Sequence, residues 1–137
     1  MISIVQNFVC NKAERLEVIK RNSKKLGDTF SETDFFVNFN SENNFESVKS
    51  YYLDNIPKMN LYNDLTKDWA LVTLALAKEV KTPYLMYICE DMEVNCSNDE
   101  MNGFLNEFYE NDFDYCFLSR IGKYIEQQYI DGYTPYN

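Results

Sequence analysis

The feature that most limits the fold is an alternation along the chain, in which apolar runs of strand length exchange with amphipathic runs of helix length. Such alternation builds a parallel sheet, because each helix carries the chain back across the sheet before the next strand begins. Residues 2–9 are apolar nearly end to end, as a strand covered by helices on both faces should be. A helix is expected over residues 12–26, with Asn11 as N-cap, Leu16, Ile19 and Leu26 on one face, and Gly27 as its stop. Asp34–Phe39 reads as the second strand. Ser41 is expected to cap a helix to about Asn55 that buries Phe45, Val48 and Tyr52 and ends before Pro57.

Met59–Tyr62 fits a short third strand, followed by a helix over residues 66–80 with Trp69, Val72, Leu76 and Val80 at helical spacing. Ala70, Leu74 and Ala77 make its other side apolar as well, which places the helix in the interior and Trp69 in the core. Pro83 opens the clearest strand, residues 84–89. Ser97 and Glu100 form an S-x-x-E capping box for a helix that buries Met101, Phe104, Leu105 and Phe108. Residues 114–118 read as a last strand, and the tyrosine-rich tail from Gly122 has no clear period.

A chain of 137 residues suits a single domain, and a 45% hydrophobic, 16% aromatic composition can fill its core, which excludes disorder of the whole. The net charge of -9 opposes binding to nucleic acid, for which no basic patch is found. There is no histidine, which excludes Ser-His-Asp triads, Cys-His dyads and HExxH sites. A metal would have to be held by oxygen or thiolate, and the many carboxylates favour Mg²⁺ or Mn²⁺ over Zn²⁺. Cys10, Cys89, Cys96 and Cys116 show no CxxC spacing and read as buried thiols of a reducing compartment. With no basic n-region and no apolar stretch long enough to span a membrane, a soluble cytoplasmic protein is expected.

In open parallel sheets, ligands bind outside the carboxyl ends of the strands. Phe8, Val9, Cys10 and Asn11 follow the first strand, and Asn38, Asn40 and Ser41 fall at the end of the second. After residues 84–89 comes Glu90-Asp91-Met92-Glu93, three carboxylates that repel one another and are most easily kept ionised by a cation. The alternative is an acidic turn in solvent, and for Asn38, Asn40 and Ser41 it is turn and cap formation. An apolar strand ending abruptly in charge at the ligand-binding edge favours the functional use.

Together, residues 2–5 followed by Asn11-Lys-Ala-Glu-Arg-Leu16, the apolar helix at 69–77, and Thr82-Pro-Tyr-Leu-Met-Tyr-Ile-Cys-Glu-Asp-Met-Glu93 resemble the family-2-like glycosyltransferases of the GT-A fold. In that family the first strand leads to an Asn-Arg-x-Glu-x-Leu helix start, and a later strand ends in a DxD metal motif. The resemblance covers residues 1–120, the nucleotide-sugar-binding half, and leaves 121–137 as a tail where an acceptor region would start. It implies a Rossmann-like three-layer α/β/α domain with a mostly parallel sheet. It further implies a nucleotide-sugar donor whose diphosphate is bridged to the protein by Mn²⁺ or Mg²⁺, and a glycan, lipid or protein acceptor.

On this resemblance Asp91 is the metal ligand, Glu93 a second carboxylate, and Glu90 a ribose or metal contact. Asn7, Phe8 and Val9 border the base, Asn38 and Asn40 stand where the family often has an Asp, and Lys67 lies near a basic position close to the donor. The sequence departs from the family in a longer first turn, in Asn for Asp after the second strand, and in Glu-Asp-Met-Glu for DxD. No catalytic base is assigned, since Asp131 is the only Asp of the tail. The implied metal and donors stabilise a departing nucleoside diphosphate, chemistry that needs no histidine.

The rival expectation is a noncatalytic module that binds a nucleotide or a partner chain. A receiver-like signalling domain needs an acidic pair after the first strand, where Gln6, Asn7 and Phe8 stand instead. The tail tyrosines Tyr124, Tyr129, Tyr133 and Tyr136 offer a surface for a homo-oligomer.

Overall fold

We describe residues 2–41, 43–63, 68–90 and 92–112 from a computed structural model of the chain. Lys67, Asp91 and Cys116, the strand expected at 114–118 and the tyrosine-rich tail lie outside the described residues. The elements are β1 (Ile2–Phe8), α1 (Ala13–Thr29), β2 (Asp34–Phe39), α2 (Phe45–Asn55), β3 (Met59–Tyr62), α3 (Trp69–Glu79), β4 (Tyr84–Tyr87) and α4 (Asn98–Glu110). The four strands pair in parallel in the order β3-β2-β1-β4. This is an α/β fold with an all-parallel sheet, compatible with a Rossmann-like fold.

β1 is buried along its whole length, and its period of two sorts its neighbours. Phe8 meets Tyr52 of α2, and Gln6 Oε1 accepts a hydrogen bond from Tyr52 OH at 2.9 Å. The alternate side chain Val5 packs with Val72 and Leu76 of α3, while Asn7 bonds to Trp69 and Thr73 of the same helix. Phe35, Val37 and Phe39 of β2 are fully buried beside it.

Several local expectations are corrected. The N-cap of α1 is Lys12, not Asn11, and no side chain caps the helix. The helix runs through Gly27, which is no stop: a Cβ there would lie 2.1 Å from the Asn55 carbonyl oxygen, so the glycine lets α1 and α2 approach. Asn44 is the N-cap of α2, and Ser41 acts one turn earlier: its Oγ accepts from Asn44 N at 3.1 Å and donates to Cys10 O at 2.8 Å. Asp68 caps α3 by accepting from Leu71 N at 3.1 Å.

α3 is also not an interior helix. Val72 and Leu76 are buried, but Trp69, Leu71 and Leu74 are 54%, 63% and 52% exposed. β4 ends at Tyr87, two residues earlier than expected, although Ile88 stays buried and its N–H donates to Val5 O at 3.2 Å. The expected capping box is present, with Ser97 N donating to Glu100 Oε2 at 2.8 Å and Glu100 N to Ser97 Oγ at 3.2 Å.

The chain divides into two compact units, residues 1–103 and 104–137. Met101 is buried in the first; in the second, the Phe108 ring lies 6.3 Å from that of Phe104 and 6.0 Å from that of Tyr109. Cys10 and Cys96 are free thiols. Among the described residues no helix is long and apolar enough to cross a membrane.

Candidate functional site

With the order β3-β2-β1-β4, the chain leaves β3 on one side of β1 and returns through α3 to β4 on the other. The direction of winding therefore reverses between β1 and β4, and the carboxyl ends flanking such a reversal are where open parallel sheets generally bind ligands. Val9 and Cys10 follow β1 there, and Glu90 to Glu93 follow β4.

One polar stripe of α1 holds the acidic segment. Arg15, Asn22, Lys25 and Thr29 recur at i, i+7, i+10 and i+14, which puts them on one helix face. Arg15 Nη1 donates to Glu90 Oε1 at 2.5 Å and to Val9 O at 3.0 Å, joining the loops after β4 and β1. Asn22 Nδ2 donates to Glu90 O at 2.9 Å and Met92 O at 3.3 Å, so its amide grips the backbone on both sides of residue 91. Lys25 pairs with Glu93 and donates to Asn95 Oδ1 at 3.0 Å, and Thr29 Oγ1 donates to Cys96 O at 2.9 Å. Asn22 is buried and its Oδ1 has no partner among the described residues.

Asn7 is the hub on the other side of β1. Its Nδ2 donates to Thr73 Oγ1 at 2.8 Å and Trp69 O at 3.1 Å, and its Oδ1 accepts from Asn38 Nδ2 at 2.9 Å. Its backbone oxygen accepts from Tyr87 OH at 3.2 Å and Trp69 Nε1 at 3.3 Å.

Burial sets the protonation of these groups. It pushes the Tyr87 phenol up to about 12, helped by negative charge at Cys89 and Glu90, so the hydroxyl stays a donor to Asn7. Burial, and then Glu90, raises Tyr52, which stays a donor to Gln6. Burial also raises the Cys10 thiol, against the opposing pull of Asn44 and Arg15.

The expected site residues therefore separate into groups. Glu90 stands at the carboxyl edge, joined to Arg15 in the first turn of α1, whereas Glu93 is joined to Lys25 ten residues further along the helix, away from that edge. Val9 is exposed at the same edge. Asn7 and Asn38 are paired opposite one another in the sheet with their amides turned to each other, and both are buried. Phe8 is buried against Phe39, with ring centroids 5.7 Å apart, and the Asn40 N–H donates to Phe8 O at 2.8 Å. Asp91 and Lys67 lie outside the described residues.

Glu90 and Glu93 supply hard oxygen donors of the kind Mg²⁺ and Mn²⁺ prefer. Among the described residues, no three His, Cys, Asp or Glu side chains gather as a metal-holding group. An open depression of 380 Å³ is lined by Lys25, Thr29, Asn95, Cys96 and Glu100 among others, not by Glu90 or Trp69. The sequence reading missed Arg15, Asn22, Lys25 and Thr29; the signal was polar Asn22 and Thr29 on the face that also carries Ile19 and Leu26. Compared with known proteins, the chain matches no family model and no curated protein.

Proposed function

We propose that the chain is the nucleotide-sugar-binding part of a GT-A-type, three-layer α/β/α glycosyltransferase, with a divalent metal at Glu90-Asp91-Met92-Glu93. The observation that carries this reading is an acidic segment that begins three residues after β4 with Glu90, which Arg15 ties to Val9 O after β1, where the winding reverses. Contacts of alternate β1 side chains with α2 and with α3 support helices on both faces of the sheet.

In this reading Asp91 and Glu93 hold Mn²⁺ or Mg²⁺, which when bound neutralises the charge growing on the departing diphosphate. Arg15 and Asn22 keep the segment in register, one through Glu90 and one through the backbone. Lys25 faces Glu93, and its charge would be shared with the incoming phosphates. Transfer goes to a glycan, lipid or protein acceptor.

The test is thermal unfolding with UDP-, GDP- and dTDP-sugars, each with Mn²⁺ and with EDTA, on wild type and Asp91→Asn. A ligand at a hundredfold excess over its dissociation constant adds about 2.7 kcal/mol, which should raise the midpoint by several degrees. The reading expects a metal-dependent rise that Asp91→Asn loses.

A second reading is a noncatalytic module that binds a nucleotide or a partner chain without turnover. It is favoured by one observation: Arg15 and Lys25 already balance Glu90 and Glu93 without a metal. Under it, binding survives both EDTA and Asp91→Asn.

A further inference from the structure

Trp69 is the chain's one tryptophan, and its indole is held while most of it stays in water. The N–H edge is tied down, Nε1 donating to Asn7 O at 3.3 Å. The ring meets Tyr87 nearly at right angles, 82° between planes and 5.9 Å between centroids. Its backbone oxygen accepts from Asn7 Nδ2 and from Thr73 Oγ1, the latter at 2.8 Å, and Asn7 is fixed in turn by Asn38. Yet the residue is 54% exposed, at the first position of α3 and bonded to Asn7, next to last in β1.

The Asn7 main-chain oxygen and the edge contact with Tyr87 thus hold the ring, while Asn7 and Thr73 side chains hold the Trp69 backbone, and the ring itself is left largely uncovered. A large apolar ring gains by burial, so an exposed one that is satisfied at its polar atom and immobilised is prepared for a contact made later. Immobilisation also lowers the ordering cost of that contact. With the N–H consumed, what the indole offers is its flat apolar surface, which recognises a planar ring without regard to hydrogen-bonding pattern. Val9, which follows β1, and Tyr62, which ends β3, are likewise exposed, so the carboxyl edge has further apolar elements.

We propose that Trp69 is the stacking platform for the nucleobase of a nucleotide bound across the carboxyl edge. The identity of that ligand rests on the function proposed above; the platform itself rests on the geometry of Trp69, Asn7 and Tyr87.

Because Trp69 is the sole tryptophan, its fluorescence reports this site alone. The full chain is titrated with uridine, guanosine and thymidine, then with their diphosphates with and without Mn²⁺, and with free glucose and galactose as controls. Acrylamide quenching is measured before and after each titration. Expected is ready acrylamide quenching of the free protein, saturable quenching by at least one nucleoside and its diphosphate, acrylamide protection in the complex, and no response to the free sugars. By calorimetry Trp69→Ala should bind that nucleotide about ten- to a hundredfold more weakly, with Trp69→Phe recovering part of the loss and both variants keeping a cooperative urea transition.

An indole that acrylamide does not reach, as when another segment or a second copy covers it, overturns the proposal. So does a nucleotide that binds Trp69→Ala with wild-type affinity and leaves the fluorescence unchanged, in which case donor binding stands and the platform falls. Quenching by nucleosides with no metal dependence at the diphosphate keeps the platform and removes the metal. If no nucleoside or nucleotide binds, both fall together.

Discussion

Arg15 and Glu90 are 75 residues apart in the chain, yet their side chains meet at 2.5 Å, and with the Arg15 bond to Val9 O they tie together the loops after β1 and β4. The guanidinium is half-exposed while the Glu90 side chain is only 11% exposed. Replacing Arg15 by Met strips a charge-assisted hydrogen bond from a carboxylate with little water around it, so the cost should exceed that of an ordinary surface pair. We expect Arg15→Met to lower the unfolding free energy by about 1–3 kcal/mol at low salt and by less at 1 M NaCl. Urea titrations at the two salt concentrations check this, and an unchanged midpoint at low salt would contradict it.

Gly27→Ala sets two effects against each other. Alanine gains about 1 kcal/mol over glycine inside a helix. Its Cβ, however, would stand 2.1 Å from the Asn55 carbonyl oxygen, a backbone atom that moves only if α2 moves. Overpacking of this kind costs about 1–3 kcal/mol or more, so the variant should be less stable than wild type in urea. A stabilised variant would show that α1 and α2 are not in close contact at this point.

The capping box gives a prediction with a defined pH sign. Two hydrogen bonds from Ser97 hold the Glu100 carboxyl below its usual range. A carboxylate whose folded pKa is depressed adds stability above its unfolded pKa and loses it as pH falls through the folded value. The stability difference between wild type and Glu100→Gln should therefore be present at neutral pH and vanish on acidification through the carboxylate range. Ser97→Ala should cost about 0.5–2 kcal/mol at neutral pH. Melting curves across acid and neutral pH check both.

Which parts of this could be read in advance follows from the range of the interactions. Met59–Tyr62 and the Ser97–Glu100 box were legible because their signals are local: a short apolar run between turns, and a side chain bonding three residues away. Gly27 was misread because glycine ends helices when it takes a positive φ and serves interiors when another backbone approaches, and only the position of α2 decides which. Trp69 was expected in the core because spacing alone does not say how much of a helix's circumference the sheet covers. For the site, the acidic segment was visible as a sequence of charges, but its holders Arg15, Asn22, Lys25 and Thr29 were not. Their partners lie about 70 residues away.

The thiols give an independent check on packing. Cys10 is fully buried with its thiol pushed up by burial, while Cys89 and Cys96 are partly accessible. Alkylation of the native chain followed by mass spectrometry should label Cys96 well before Cys10, which should react at the rate of unfolding. Early labelling of Cys10 would contradict the burial of the β1 carboxyl end.

The most direct test of the proposed function is a calorimetric titration of the donor that gives the largest thermal shift, with Mn²⁺ and again after EDTA, into wild type and Asp91→Asn. Binding by wild type only with the metal, lost in Asp91→Asn while the variant keeps its wild-type unfolding curve, is the result predicted here. Equal donor affinity with metal, with EDTA and in the variant would contradict a metal-assisted site at the acidic segment.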